Sequence, residues 1–161
     1  MIVGVHHVSI SVTAMASMLA FYRDLLGFAV VHDSEWQPGN ARIDAMVGLQ
    51  GSAARVVMLR AANIYVELFE YRSPKGRQGN PNRPVCDAGL THLCLVTDDI
   101  EAEYDRLRNA GLRFHAPPGA PSAFRACYGR DPEGNIFELI EFAADHSFAF
   151  DRLKDHRGPL N

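Results

Sequence analysis

Much of what other function classes require is missing from this chain. No stretch approaches the roughly 18 consecutive apolar residues of a membrane-spanning helix. The N-terminus carries no charged segment leading into an apolar signal core. A soluble, cytoplasmic protein with no membrane partner is the expectation. Cysteine is scarce, and Cys86, Cys94 and Cys127 form no close-spaced pair, which argues against a disulfide framework and against a thiolate zinc cluster. Basic residues show no excess: 16 Lys and Arg face 19 Asp and Glu, for a formal charge of −3. A nucleic-acid partner is therefore not expected. There is no glycine-rich phosphate loop and no dinucleotide fingerprint. Gly134-Asn135 follows a turn proline and reads as hairpin chemistry.

What is present is a repeat. With 161 residues and 47 % hydrophobic content, the chain can bury the core of one compact domain, and its two halves echo each other. Gly-Val-His-His-Val-Ser-Ile-Ser-Val at 4–12 is matched by Gly-Leu-Thr-His-Leu-Cys-Leu-Val-Thr at 89–97. Glu67-Leu-Phe-Glu-Tyr71 is matched by Glu138-Leu-Ile-Glu-Phe142. The chain divides into module one (3–71), a linker (72–88), module two (89–142) and a C-terminal tail (143–161). The tail is polar apart from Phe148 and Phe150, which are expected to pack on the protein's own surface or on a partner.

Alternation over Val3–Val12 predicts a strand with Val8, Ile10 and Val12 on one face and His7, Ser9 and Ser11 on the other, with His6 on the apolar side. Thr13 is the expected N-cap of a helix over 14–26 that Gly27 ends. Strands follow at 28–34, 55–60 and 64–71, with a brief helical turn near 44–49. The second half starts again with a strand at 90–97. Asp98 and Glu101 form a capping box for a helix that Gly111 stops, and further strands are expected at 112–115, 123–129 and 135–142. The basic linker residues Arg72, Lys75, Arg77 and Arg83 read either as a solvated connection or as a lip that attracts an anionic substrate.

Aligning the first strands pairs His7 with His92. Aligning the last strands pairs Glu67 with Glu138 and Glu70 with Glu141. Glu67 shares a strand face with Tyr65 and Phe69, where a carboxylate is costly unless paired or metal-bound, whereas Glu70 points the other way and is expected to reach water. The same reasoning favours Glu138 over Glu141. Two imidazoles and two carboxylates, His7, Glu67, His92 and Glu138, suit one divalent ion among Zn, Ni, Co, Mn and Fe(II). Tyr128 and Arg125, on the strand beside that of Glu138, are candidate substrate contacts. His32, His115, His146 and His156 have no repeat partner and are expected to be structural or surface residues.

These motifs resemble the vicinal oxygen chelate superfamily of glyoxalase I, bleomycin resistance proteins and extradiol dioxygenases. The matching pieces are His-His-Val-Ser-Ile-Ser-Val at 6–12, Phe-Tyr-Arg-Asp-Leu-Leu-Gly-Phe at 21–28, Val-Glu-Leu-Phe-Glu at 66–70, Thr-His-Leu-Cys-Leu at 91–95 and Asp-Pro-Glu-Gly-Asn-Ile-Phe-Glu-Leu at 131–139. The resemblance implies an α+β fold of two tandem βαβββ modules forming an eight-stranded open cup around a metal. The family's ligand positions fall on His7, Glu67, His92 and Glu138. A carboxylate at Glu67 points to a glyoxalase-like lyase or isomerase that acts on a small α-oxo or α-hydroxy carbonyl substrate. The reaction would run through a metal-stabilised enediolate, with Glu67 and Glu138 as base and acid, and in a homodimer. Ser11 stands where glyoxalase I has an arginine that contacts glutathione, so glutathione is not the expected substrate. The alternatives are an Fe(II) ring-cleaving dioxygenase using His7, His92 and Glu138, and a small-molecule-binding resistance protein without turnover.

Overall fold

The computed structural model describes residue 2 and residues 4–152. The first strand's expected start at Val3 and the tail beyond Arg152, His156 included, lie outside the described residues. Two compact units emerge, one over residues 4–80 and one from Pro81 onward.

In the first unit, β1 (His7–Val12) leads into α1 (Met15–Leu19), which continues as a π-helical segment over Ala20–Leu25. Then come β2 (Ala29–Trp36), α2 (Ala41–Val47), β3 (Ala53–Arg60) and β4 (Tyr65–Ser73). The strands form one sheet in the order β1-β4-β3-β2, with β1 parallel to β4 and the other pairs antiparallel. The second unit repeats the plan. It has β5 (His92–Val96), α3 (Ile100–Asn109), β6 (Arg113–Phe114), β7 (Phe124–Arg130) and β8 (Ile136–Phe142), in the order β5-β8-β7-β6. The α+β architecture of tandem βαβββ modules is thus present, with two four-stranded sheets.

Alternation along each strand sorts the side chains. In the first sheet Val57, Leu59, Val66 and Leu68 are fully buried, as are Met15 and Met18 of α1 or nearly so. Each such side chain contributes about 1.5–3 kcal/mol of burial. The second sheet buries Phe137 and Leu139 together with Ile100 and Leu107 of α3. Phe137 lies so close over Gly129 that a Cβ there would come within 2.3 Å of its ring, so only glycine allows the approach.

Helix starts depart from the sequence reading in an informative way. Glu70 Oε1 accepts the backbone N–H of Met15 at 3.0 Å, and Glu141 Oε2 accepts that of Ile100 at 2.8 Å. The two glutamates expected to reach water instead satisfy the open N–H groups at the positive end of each module's helix. The N-cap position of α1 is Ala14, one residue beyond Thr13, and Ala14 itself makes no side-chain cap bond. For α3 the N-cap is Asp99, not Asp98, and its carboxylate accepts from Ala102 N at 3.0 Å. The single helix expected over 14–26 widens in its second half, where Leu26 N bonds Phe21 O, and Phe21 and Tyr22 are both buried in edge contact. The brief turn near 44–49 is a true helix, α2. Asn40 caps it by accepting from Ile43 N at 3.1 Å, and Gly48 ends it with φ +69°.

Between the sheets the chain is mostly exposed but is braced at a few points. Arg72 belongs to β4 and pairs with Glu35 at 2.8 Å. Arg83 donates to the carbonyls of Asp87 and Leu90, and its own carbonyl accepts from Arg130 at 2.8 Å. Pro81 packs on the turn after β7: a Cβ on Gly134, whose φ is +89°, would meet it at 2.3 Å. Two of the four linker cations therefore serve as internal braces. After β8, Phe142 stacks on His146 at 4.8 Å, and Phe148 N donates to His146 Nδ1. The tail's aromatic cluster is thus built around His146.

Candidate metal centre

Each sheet presents one His–Glu pair on the face opposite its helix. In the first unit His7 stands opposite Tyr65 and Ser9 opposite Glu67, so His7 and Glu67 are diagonal neighbours on β1 and β4. His7 Nε2 lies 3.5 Å from Glu67 Oε2. His6 precedes the strand and does not follow its alternation. It shares a 2.8 Å hydrogen bond with His7 through their Nδ1 atoms and stacks on Tyr65 at 4.9 Å. That contact holds the His7 ring with Nε2 toward the carboxylate, as an outer partner does for a ligating histidine.

The second unit repeats this register on β5 and β8. His92 is opposite Ile136 and Cys94 opposite Glu138, and His92 Nε2 lies 3.0 Å from Glu138 Oε2. Both glutamates are largely buried, with side chains 15 % and 13 % exposed. His92 Nδ1 is buried with no partner among the described residues.

Two donors that share one ion at about 2.1 Å each stand roughly 3–3.5 Å apart, and both His–Glu separations fall in that range. The nitrogen and carboxylate donors suit a borderline or hard divalent cation. Each pair therefore offers two donors to such an ion. Among the described residues, no group of three or more His, Cys, Asp or Glu is gathered closely enough to hold a metal ion, so the structure brings the four predicted ligands together only as two pairs.

Around Glu138 the second unit adds two groups. Tyr128 is directly opposite Glu138 on β7, and its ring meets that of His92 edge-on at 5.1 Å. Burial, then the charge of Glu138, holds the phenol above its ordinary pKa of 10.0, so it stays a hydrogen-bond donor at neutral pH. Cys94 was not among the sequence candidates, although alternation from His92 puts it on this face. Loss of hydration, then the charge of Glu138 and a hydrogen bond to it, push its thiol up to about 12, so the group is a neutral thiol and not a nucleophile. Nearby, His115 donates its backbone N–H to the carbonyl of Tyr128.

Arg125 does not join this group. It stands opposite Glu141, one strand step out of phase with Tyr128, and therefore lies on the helix side of the sheet. There it pairs with Glu101 of α3 and donates to the Gly119 carbonyl at 2.9 Å. An odd number of residues from Tyr128 to Arg125 along one strand makes them face opposite ways, so they could not both have lined one face.

On the first sheet the same face carries aromatic rings that sequence reasoning found only in part. Phe69 and Tyr71 follow Glu67 on β4. Trp36 was missed because β2 runs two residues beyond its expected end at Ser34.

Comparisons with known proteins agree with this architecture. An uncharacterized protein of Escherichia coli, YaeR, is 29 % identical over 138 residues, covering 85 % of this chain and 95 % of its own. A crystal structure of a glyoxalase family protein from Bacillus cereus superposes with a TM-score of 0.80 at 19 % identity, over 89 % of this chain and 97 % of that one. The fosfomycin resistance protein FosX of Listeria monocytogenes, crystallised with Mn(II) and sulfate, superposes with a TM-score of 0.60 at 15 % identity, over 92 % and 99 %. A family model described as Glyoxalase/Bleomycin resistance protein/Dioxygenase superfamily matches residues 4–139. With its tandem modules and a match over most of its length, the chain belongs to the glyoxalase/bleomycin resistance/dioxygenase superfamily.

Proposed function

We propose that this chain is a divalent-metal-dependent lyase or isomerase of glyoxalase or epimerase type, with His7, Glu67, His92 and Glu138 as ligands of one ion. The observation that carries the proposal is the duplication. Two modules whose sequences have diverged keep the same diagonal His–Glu pair, at the same register, on the same face. A lone strand histidine beside a glutamate is commonplace; two at matching points of a repeat fit a shared ligand. FosX, of the same fold, was crystallised with Mn(II).

Bound by these four side chains, a divalent ion would supply Lewis acidity to two adjacent oxygens of a small α-oxo or α-hydroxy carbonyl compound. The protein's own groups do the rest. Glu67 and Glu138 balance the dication's charge, and one takes the proton from the carbon beside the carbonyl as its electron pair moves onto the carbonyl oxygen. That proton is returned to the former carbonyl carbon while the α-hydroxyl proton moves to the former carbonyl oxygen, which completes the isomerisation with both carboxylates restored. Glu67 and Glu138 are the two groups that take and return it. Tyr128, neutral and close to Glu138, donates a hydrogen bond to a substrate oxygen as negative charge builds there. Glu101 and α3 occupy Arg125, which has no part in these steps.

Elemental analysis of protein purified without chelator, followed by deuterium exchange at the α-carbon of α-hydroxy carbonyl compounds, tests the proposal. The expected result is one Zn, Ni, Co, Mn or Fe ion per chain. Exchange should fall by about 100-fold or more in Glu67→Gln and in Glu138→Gln. Exchange at the wild-type rate in both variants, or protein that takes up no ion when offered each metal, would refute it.

A further inference from the structure

The face of the first sheet that bears Glu67 continues into a group of three rings. Phe69 follows Glu67 by two residues on β4 and Tyr71 by four, so all three project from the same side. Trp36 reaches them through the row Trp36–Ala54–Tyr71 across β2, β3 and β4. Ala54 is fully buried, and its small side chain lets the rings on either side meet across it. The rings of Phe69 and Tyr71 stack with centroids 5.6 Å apart and planes 13° apart, and Trp36 meets both edge-on at 6.0 and 6.1 Å. All three are only partly buried, so they are not a closed core.

The indole is held from behind. Its N–H donates to Ser52 Oγ at 3.0 Å, and the buried Ser52 hydroxyl donates in turn to Asp44 at 2.5 Å. With its one polar atom engaged, the indole offers only apolar ring surface to an occupant. A polar or charged substituent placed there would lose water and gain no partner from the indole, whereas a planar apolar group would stack. The second sheet lacks this feature. Ile140 stands at the repeat position of Phe69, and the ring of Phe142, at the position of Tyr71, is already stacked on His146.

We propose that Trp36, Phe69 and Tyr71 form a specificity subsite for a planar, apolar substituent, an aryl group, on the substrate whose oxygens are held at Glu67. The step from Glu67 to Phe69 along the strand is about 7 Å, which suits a ring attached directly to the oxygen-bearing carbon. This rests on the reading of the His7–Glu67 pair as part of the oxygen-binding end, and the experiment separates the two ideas.

Mandelate and lactate share one α-hydroxy carboxylate and differ in phenyl against methyl. Trp36 is the only tryptophan of the chain, so its fluorescence reports occupation of the subsite directly. With Zn(II)-supplied protein, mandelate should bind at least about tenfold more tightly than lactate, and mandelate alone should change the Trp36 emission. Phe69→Leu keeps the volume and removes the ring, and should bring the ratio of the two affinities toward one. Tyr71→Leu, read by calorimetry, is the second variant. Equal affinities in the wild type, or a ratio that survives both substitutions, overturns the subsite. Glu67→Gln should weaken both ligands and preserve their ratio. If it leaves both affinities intact while mandelate is still preferred, the oxygen-binding reading fails and the subsite stands.

Discussion

Glu138 has His92 at 3.0 Å, Tyr128 directly across the strand pair and the Cys94 thiol as a hydrogen-bond donor. Its charge is felt by Tyr128 and Cys94, and Cys94 offers a way to measure that. Because part of the upward displacement of the thiol comes from Glu138, removing the charge should let the thiolate form at lower pH. Alkylation of Cys94 by iodoacetamide, followed by peptide mass spectrometry at pH 8, should be slow in wild-type protein and faster in Glu138→Gln. Equal rates would show that the two groups do not interact. Arg125 makes the complementary case. Its partner Glu101 is mostly exposed, so Arg125→Gln should lower stability by no more than about 1 kcal/mol. Calorimetric titration should find metal affinity unchanged in that variant, and a loss of affinity would return Arg125 to the site. At this scale the sequence disclosed all four ligand candidates through the repeat. Arg125 and Tyr128 could have been separated by parity along their strand. Cys94 was visible in the alternation but was set aside because no second cysteine accompanied it.

The elements depend on capping groups that arrive from elsewhere in the chain. Glu70 and Glu141 bond the first N–H of α1 and α3 from β4 and β8, three residues from the candidate ligands on the same strands. Glu70→Ala and Glu141→Ala should each cost about 1 kcal/mol, measured by urea unfolding; no loss in either would mean that the caps contribute nothing. Asp44 ties α2 to the start of β3 by accepting from Gly51 N, Ser52 N and the Ser52 hydroxyl. Those bonds hold its carboxyl below the ordinary value of 3.8, with the Ser52 hydroxyl the largest cause. A lowered folded-state pKa adds stability that is fully present above the unfolded value and is lost as pH falls through the folded one. Asp44→Asn should therefore be less stable than wild type at pH 7 and lose less stability on acidification below about pH 4. Parallel acid-unfolding curves for the two proteins would contradict this. Strands and the two main helices were readable from alternation and helical period. Their caps were not, because a helix start satisfied by a carboxylate some 40 or 55 residues away leaves no local signature. α2 was underestimated for a different reason: Asn40 and Gly48 mark its ends, but its exposed face supplies no apolar stripe.

For the whole molecule, duplication made the fold legible. Matching His-rich first strands and Glu-rich last strands suffice to imply two βαβββ modules, which the sheet orders β1-β4-β3-β2 and β5-β8-β7-β6 bear out. The bracing of the 81–90 segment was not legible. Proline, glycine and arginine look like a solvated linker until Pro81 is seen against Gly134 and Arg83 against Arg130. Gly134→Ala should cost more than about 1 kcal/mol, because it adds both a collision and an unfavourable positive φ. Unchanged thermal stability would mean that the segment is not held there.

The central claim is that two His–Glu pairs, one from each module, serve a single ion. Metal titration of wild type, His7→Ala and His92→Ala by calorimetry, with stoichiometry checked by elemental analysis, addresses it most directly. The expected result is one divalent ion per chain in the wild type and an affinity lowered at least about tenfold by either substitution, although the two histidines lie on different sheets. An ion bound as tightly after one pair is broken, or two independent ions per chain, would contradict it.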